Sequence, residues 1–240
     1  MSRKAEGGML TINAPPLDTE SYKQLKQEGL DCFLLWAETF NPVQYAKLHS
    51  GKTPKTEQIY RLQSYERAAE AGIEFLAGAF LKGLYNWRLE EIMLCSMDRH
   101  LKAELKHGFS IIGTPRYKGV CKKRACKGKC LSLIEPYQMQ DDEYILNIAL
   151  DMLIYSGAIW LQTREPWELN EKIIDLFGGG FIFTMDCSTA PGGYAAKPKG
   201  KEQFPVHFYS PELITPKLEE KGIEVKYSWS KEDLKKLQRE

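Results

Sequence analysis

Short apolar runs alternate along the chain with longer segments in which apolar residues recur at helical spacing. The short runs predict six β-strands: Met9–Ala14, Cys32–Ala37, Phe75–Phe80, Phe109–Ile112, Ala158–Gln162 and Gly180–Thr184. The longer segments predict helices between them: Asp18–Gln27, Pro42–Leu48, Glu57–Ala71, Arg88–Lys106, Asp141–Tyr155 and Trp167–Phe177. Strict alternation of strand and helix, with right-handed crossovers, predicts an α/β fold with a parallel sheet or barrel.

A closed parallel barrel of this type has eight strand–helix units, whereas the pattern here contains six. We therefore predict a partial parallel (β/α) barrel over residues 1–195, followed by a short C-terminal α/β tail over residues 196–240. In the tail we expect a helix at Pro211–Lys221, an alternating strand at Ile223–Tyr227 and a charged helix at Lys231–Gln238. The first strand then has an unpaired edge, which the tail or a partner chain should cover.

The composition narrows the class of protein without indicating a function. The 240 residues carry a net charge of +1, so no overall charge favours nucleic acid or an anionic membrane as a partner. No apolar run approaches the roughly 18 residues needed to cross a bilayer. We expect a cytoplasmic protein, whose six cysteines serve as thiols or metal ligands rather than as disulfides. Cys32, Cys95 and Cys187 lie in or beside apolar runs, which indicates buried small hydrophobes.

The candidate metal ligands are three cysteines, Cys121, Cys126 and Cys130, in a long loop after the fourth predicted strand. Five lysines and arginines lie between them, and such charge lowers thiol pKa values and stabilises an anionic thiolate-ligated cluster. The spacing differs from that of zinc fingers. An iron–sulfur site is the preferred interpretation, and a zinc site or a metal-free basic loop remains open. The histidines are interpreted as structural or surface residues: His49, His100, His107 and His207.

Five groups of motifs occur in one order: Ala37-Glu-Thr-Phe-Asn41 with Tyr45-Ala-Lys-Leu-His49, Tyr60-Arg-Leu62 with Glu66-Arg-Ala-Ala-Glu-Ala-Gly-Ile73, Leu81-Lys-Gly-Leu-Tyr-Asn-Trp-Arg88, Thr163-Arg-Glu165, and Ser188-Thr-Ala-Pro-Gly-Gly-Tyr194. Together they resemble the aromatic-amino-acid lyases of the radical S-adenosylmethionine (radical SAM) superfamily. This biotin/thiamine-synthase-like branch includes 2-iminoacetate synthase and the tyrosine lyase of FeFe-hydrogenase maturation. The resemblance covers about residues 9–195 and implies a TIM-like radical SAM barrel.

The resemblance also implies cofactors and roles for individual residues. The implied cofactors are S-adenosylmethionine (SAM) and an iron–sulfur cluster of the 4Fe-4S type. Glu38 would accept hydrogen bonds from the SAM ribose hydroxyls, and Arg61 would pair with the SAM carboxylate. Arg164 would bind the carboxylate of an amino-acid substrate, although Gln162 stands where the lyases commonly have a serine. In the biotin synthase branch, the comparable arginine contacts an auxiliary cluster instead.

The sequence departs from the family at its start. The resemblance begins at the family's third strand, and these residues contain no Cys-x3-Cys-x2-Cys loop, which holds the SAM-cleaving cluster in that superfamily. The three clustered cysteines follow what would be the sixth strand, so they are expected to hold an auxiliary cluster. We therefore expect activity to require a missing N-terminal half or a second chain that supplies the missing barrel strands.

Three functional hypotheses remain open at this point. The first is the C-terminal part of a radical SAM enzyme of cofactor biosynthesis, which inserts sulfur or cleaves an aromatic amino acid. The second is a non-catalytic iron–sulfur or scaffold protein derived from such a barrel, and the third is a zinc-stapled α/β domain. The expected partners are SAM and a small-molecule or acyl-carrier substrate. No nucleic acid or membrane is expected, since no basic patch interleaves with aromatic residues.

Overall fold

The computed structural model describes residues 8–49, 51–117, 135–155, 158–162, 165–183, 210–228 and 230–237. The chain divides into two compact units. The first comprises Met1–Ile159 and Ser228–Glu240, and the second comprises Trp160–Tyr227. The predicted boundary between a barrel of residues 1–195 and a tail of residues 196–240 stays a prediction.

Strands and helices alternate in the order that the hydrophobic pattern predicts. The strands are β1 (Thr11–Asn13), β2 (Cys32–Trp36), β3 (Phe75–Ala79), β4 (Phe109–Gly113), β5 (Ile159–Gln162) and β6 (Phe181–Phe183). The helices are α1 (Thr19–Gln27), α2 (Pro42–Leu48), α3 (Gln58–Leu62), α4 (Ser64–Glu70), α5 (Trp87–Leu105), α6 (Asp141–Ile154), α7 (Trp167–Phe177), α8 (Pro211–Glu220) and α9 (Lys231–Leu237), with 3-10 turns at Pro54–Thr56 and Glu135–Tyr137. Among these helices, none is both long enough and apolar enough to cross a membrane.

Four parallel strands form the sheet of the first unit, in the order β1-β2-β3-β4. The register pairs Cys32 with Phe75 and Leu34 with Ala77. Because successive side chains of a strand point to opposite faces, these paired residues share one face of the sheet. The α/β fold with a parallel sheet, predicted from the alternation of strand and helix, is confirmed.

The sheet of the first unit is open at β1, which in the described residues pairs with β2 alone. Phe33 packs its ring against Tyr22 of α1, so the face that bears Cys32 is turned away from that helix. Thr11 and Asn13 share the face of Cys32, yet they are exposed while Cys32 is buried. An incomplete barrel leaves the inner face of its edge strand open to solvent, and polar residues suit that position.

The helix predicted at Glu57–Ala71 is divided into α3 and α4, with Gln63 between them. In a continuous helix the Tyr60 carbonyl oxygen would accept the Ser64 backbone N–H. Here that oxygen accepts the Ser64 hydroxyl at 3.3 Å and Arg67 Nη2 at 2.6 Å. Side chains of this kind compete with the backbone ladder and bend helices.

In the second unit, β5 and β6 pair in parallel, with Trp160 opposite Phe181. Helices α7 and α8 share an apolar cluster of Ile174, Ile214 and Leu218, against which Trp167, Ile223 and Val225 pack. The strand predicted at Ile223–Tyr227 is wrong, because none of these described residues is in a strand. Ile223 and Val225 alternate with exposed residues because they pack against two helices, not because they pair in a sheet.

A buried lysine joins the loop after β3 to two helices of the first unit. Lys82 is 0% exposed, and its Nζ lies 3.1 Å from Asp151 Oδ2 of α6 and 3.8 Å from Glu91 Oε2 of α5. Glu91 also accepts hydrogen bonds from Asn147 Nδ2 and Tyr155 Oη, both at 2.8 Å. Burial raises the pKa of Asp151 well above its usual range, although the Lys82 ammonium opposes that rise.

Helix α9 is attached at the amino ends of the strands of the first unit. Lys231 Nζ lies 2.7 Å from Asp31 Oδ1 and 3.1 Å from Glu74 Oε1, and these two acidic residues directly precede β2 and β3. Burial opposes ionisation of Glu74, but hydrogen bonds from Lys231 and Lys26 outweigh it and lower its pKa to about 2. The carboxyl ends of the strands, where the site is predicted, lie at the opposite edge of the sheet.

Candidate functional site

The loop after β2 holds Glu38 in an unusual backbone conformation. Its φ is 66°, in the left-handed region that residues other than glycine rarely adopt. The Thr39 N–H donates to the Ala37 carbonyl oxygen at 3.0 Å, which closes a three-residue turn around Glu38. The Glu38 carbonyl oxygen accepts the Leu81 N–H at 2.8 Å, so the turn is tied to the loop after β3. Strained residues that persist at strand ends are often found at functional sites.

Arg61 brings its guanidinium from α3 to this turn, although it is only 6% exposed. Its Nε donates to the Trp36 carbonyl oxygen at 2.8 Å, and its Nη2 donates to Glu38 Oε1 at 2.9 Å. The structure therefore brings together the two residues that the resemblance assigns to SAM. Within the described residues, Glu38 Oε2 has no hydrogen-bond partner, so this carboxylate can still accept a donor from a ligand.

A buried carboxylate of α5 fixes the loop that displays Glu38. Glu90 is 2% exposed and accepts hydrogen bonds from Thr39 Oγ1 at 2.5 Å and from the Phe40 N–H at 2.7 Å. Burial raises the pKa of Glu90, and these hydrogen bonds oppose the rise. Gln58, the first residue of α3, donates from Nε2 to the Thr39 carbonyl oxygen at 2.9 Å. Helices α5 and α3 thus fix the position of the loop after β2.

The side chains of Tyr45 and His49 stack on each other near the end of α2, with ring centroids 4.2 Å apart and planes at 12°. Burial lowers the pKa of His49, the Glu38 carboxylate raises it and the Arg61 guanidinium lowers it, so the imidazole lies within electrostatic reach of both. The interpretation of His49 as a structural or surface residue stays a prediction. The spacing of four residues places Tyr45 and His49 on one side of α2, which allows the two rings to stack.

Four predicted site residues lie outside the described residues and stay predictions: Cys121, Cys126, Cys130 and Arg164. Across the described ranges, no group of three or more histidine, cysteine, aspartate or glutamate side chains is arranged to hold a metal ion. Cys32 and Cys95 carry free thiols. Burial raises the pKa of Cys32 to about 12, as expected for a thiol that serves as a core residue.

The sequence of this chain is similar to those of two curated enzymes, whereas no family model matches it. The 2-iminoacetate synthase of Escherichia coli (strain K12) is 29% identical over 220 residues, and that of Salmonella typhimurium (strain LT2) is 29% identical over 223 residues. Each alignment covers 90% of this chain and 55% of the relative. The chain thus spans about half the length of the curated relatives it matches.

Two solved structures of HydG and one of methylornithine synthase are also similar to this chain. HydG, a maturase of the FeFe-hydrogenase, superimposes with a TM-score of 0.77 at 26% identity, over 90% of this chain and 45% of that one. HydG from Carboxydothermus hydrogenoformans gives a TM-score of 0.75 at 26% identity, over 90% and 47%. Methylornithine synthase (PylB) gives 0.63 over 95% and 61%, but at 13% identity it supports the fold alone.

The parallel α/β fold is similar to the TIM-like barrels of radical SAM proteins such as HydG. Within that class, the chain is related to the biotin/thiamine-synthase-like branch that contains 2-iminoacetate synthase and HydG, and the recognition made from the motifs is confirmed. These radical SAM relatives use SAM and a 4Fe-4S cluster, the two cofactors that the motifs imply.

Replacing Glu90 tests whether this carboxylate fixes the loop. In Glu90→Gln one oxygen becomes an amino group, so either the Thr39 hydroxyl or the Phe40 N–H loses its acceptor. We expect the free energy of unfolding to fall by about 1–3 kcal/mol and the Phe40 amide to exchange faster. Urea unfolding and hydrogen exchange measured by NMR check both effects. Glu104→Gln, at an exposed position of the same helix, is the control, and unchanged exchange at Phe40 in Glu90→Gln would contradict the role of Glu90.

Proposed function

We propose that this chain forms the C-terminal part of a cytoplasmic radical SAM enzyme of cofactor biosynthesis and carries an auxiliary iron–sulfur cluster. The observation that carries the proposal is the pairing of Glu38 with Arg61 at the carboxyl end of β2. Ligands of parallel barrels bind at that edge of the sheet. Two enzymes of this type, 2-iminoacetate synthase and HydG, are similar to 90% of the chain, which supports the same function.

The Glu38–Arg61 pair fits the chemistry of SAM. Arg61 uses its Nε and one Nη2 hydrogen in the described contacts, and a guanidinium has five N–H groups, so others can bind a carboxylate. Glu38 Oε2 can accept a hydrogen bond from a ribose hydroxyl. When bound at an iron–sulfur cluster, SAM supplies the carbon-centred radical for this class of chemistry. The part played by this chain is to bind and orient SAM through Glu38 and Arg61.

Removing the guanidinium should weaken SAM binding by the chain. We expect Arg61→Ala to reduce the affinity for SAM by about 1.5–3 kcal/mol, the value of a hydrogen bond to a charged group. Equilibrium dialysis against labelled SAM measures the change, and far-UV circular dichroism verifies that the variant is folded. Arg99→Ala, an exposed residue of α5, is the control and should bind as the parent chain does. An affinity of folded Arg61→Ala equal to that of the parent would place SAM elsewhere.

For the reaction itself, we favour cleavage of an aromatic amino acid. The motifs Thr163-Arg-Glu165 and Ser188–Tyr194 resemble those of the lyases, and the matched relatives include 2-iminoacetate synthase. Arg164 would bind the substrate carboxylate, where the planar guanidinium matches the geometry of the anion. Sulfur insertion is the second candidate, favoured by the three additional cysteines, because auxiliary clusters can serve as sulfur donors.

A single substitution separates the step that uses SAM from the step that uses the amino acid. In an active enzyme completed with the remaining barrel strands, Arg164→Ala should leave SAM cleavage largely intact, because its role follows radical formation. Cleavage of tyrosine should stop, since the substrate carboxylate has lost its partner. Chromatography of 5′-deoxyadenosine and of the tyrosine products measures the two steps separately. If sulfur is inserted instead, Arg164→Ala should fail to form a sulfur-containing product, and tyrosine should be inert with either protein.

The clustered cysteines are proposed to hold the auxiliary cluster. After anaerobic purification, we expect iron and sulfide in similar amounts and a broad absorbance near about 400 nm, as thiolate-ligated clusters show. Cys126→Ser should abolish this absorbance, whereas Cys95→Ser, a thiol elsewhere in the chain, should retain it. Stoichiometric zinc without iron would instead support a zinc-stapled domain. A chain that binds no metal would support a scaffold protein.

The same reconstituted protein tests whether the cluster is auxiliary. The spacing Cys121-x4-Cys126-x3-Cys130 is not the Cys-x3-Cys-x2-Cys of the SAM-cleaving loop. The chain alone should therefore form no 5′-deoxyadenosine from SAM under dithionite. Adding a polypeptide that carries the loop and the remaining strands should produce it. Turnover of SAM by the chain alone would show that these cysteines hold the radical-generating cluster.

A further inference from the structure

We propose that helix α9 is a strap, a terminal segment whose contacts keep another element in place, and that the element it keeps in place is the edge strand β1. Lys231 of α9 acts on β1 through the buried carboxylate of Asp31. The inference concerns the amino ends of the strands, at the edge of the sheet opposite to the Glu38–Arg61 site.

Asp31 joins β1 to β2 where the two strands begin. Its Oδ2 accepts the Leu10 backbone N–H at 2.9 Å, and its own backbone N–H donates to the Leu10 carbonyl oxygen at 3.0 Å. The Asp31 carbonyl oxygen accepts the Phe75 N–H at 3.1 Å, so the same residue also joins β2 to β3. Leu10 directly precedes β1, which has only three residues, so the two hydrogen bonds with Asp31 are a large part of what holds this strand.

The carboxylate of Asp31 needs a compensating charge. Asp31 is 1% exposed, and a buried carboxylate is stable only where it is paired and hydrogen-bonded. Lys231 Nζ lies 2.7 Å from Asp31 Oδ1, whereas Oδ2 accepts the Leu10 N–H. One oxygen therefore holds β1 while the other contacts the cation of α9. The hydrogen bond to Leu10 thus depends on a residue near the other end of the sequence.

The start of α9 places Lys231 at this position. Ser230 Oγ accepts the Asp233 N–H at 3.1 Å, and the Ser230 N–H donates to Asp233 Oδ2 at 2.9 Å, so a capping box fixes the first turn of the helix. Lys231 is the first residue of α9, where a positive charge opposes the helix dipole. Helix stability does not explain a lysine there, whereas its contacts with Asp31 and Glu74 do.

The strap returns to the first unit after the chain has passed through the second. A helix of seven residues is marginal by itself, so α9 depends on contacts such as those of Lys231. Short terminal segments can open without unfolding the rest of a protein. Detachment of α9 would take the ammonium away from Asp31 and weaken the hydrogen bond to Leu10. The C-terminal segment is therefore coupled to the edge strand of the sheet.

This coupling has a consequence for assembly. A further strand that completes the barrel would pair with the open edge of β1, and a fixed β1 offers that strand one register. The consequence rests on the proposed function, whereas the strap itself does not. Failure of the strap in the chain alone would leave the proposed function standing.

Hydrogen exchange of the Leu10 amide, measured by NMR on the whole chain, reports directly on the contact between Asp31 and β1. Lys231→Met keeps the aliphatic stem of the side chain and removes the ammonium group. Lys235→Met is the matched control, because Lys235 lies on the same helix and, in the described residues, contacts Glu74 at 3.5 Å but not Asp31. The Ala77 amide, in the central strand β3, reports on global unfolding.

We expect Lys231→Met to accelerate exchange at Leu10 about 10-fold and to leave exchange at Ala77 within about 2-fold of the parent, since a hydrogen-bonded charge has lost its partner. Lys231→Arg and Lys235→Met should behave as the parent does. Asp31→Asn keeps an oxygen for the Leu10 N–H without the charge, so Lys231→Met should add little in that background. Parent-like exchange at Leu10 in Lys231→Met, equal acceleration at Ala77, or an undiminished effect in the Asp31→Asn background would each overturn the inference.

Discussion

Two adjacent carboxylates near the start of α5, Glu90 and Glu91, organise the loops at the carboxyl ends of the strands. A buried carboxylate is stable only where hydrogen-bond donors or cations contact it. Glu90 and Glu91 therefore each need partners from other elements of the fold. Glu90 accepts a hydrogen bond from the Thr39 hydroxyl in the loop after β2, and Glu91 accepts hydrogen bonds from Asn147 Nδ2 of α6 and from Oη of Tyr155, the residue after α6. Glu90 lies in the first turn of α5, where the helix dipole favours negative charge. The start of α5 thus connects the loop after β2 with α6.

The candidate site is a consequence of this arrangement. Glu38 has a positive φ, which costs free energy for a residue with a Cβ, and the surrounding contacts must offset that cost. The Arg61 guanidinium, the Leu81 N–H and the loop held by Glu90 provide these contacts. The carboxylate is therefore oriented before any ligand arrives, which reduces the entropy that binding would otherwise lose.

Lys82, within the segment Leu81–Arg88, shows how the fold accommodates a buried charge. Its ammonium group is fully buried. Asp151 is also fully buried and lies 3.1 Å from it, so each charge is compensated by the other. Removing one partner of such a pair commonly costs about 3–5 kcal/mol. The burial of each residue therefore depends on the presence of the other, although they are 69 positions apart in the sequence.

The sequence by itself determined the alternation of strands and helices, because the periodicity of apolar residues is a local property. Its motifs also predicted Glu38 and Arg61 as site residues, and the structure pairs these two side chains. Their role in binding SAM, like the roles of Cys121, Cys126, Cys130 and Arg164, stays a prediction. Only the tertiary structure decided the break at Gln63 and the absence of a strand at Ile223–Tyr227. A pattern of apolar and polar residues does not show that side chains will compete with the backbone for the Tyr60 carbonyl oxygen, or that Ile223 and Val225 will pack against two helices instead of pairing in a sheet.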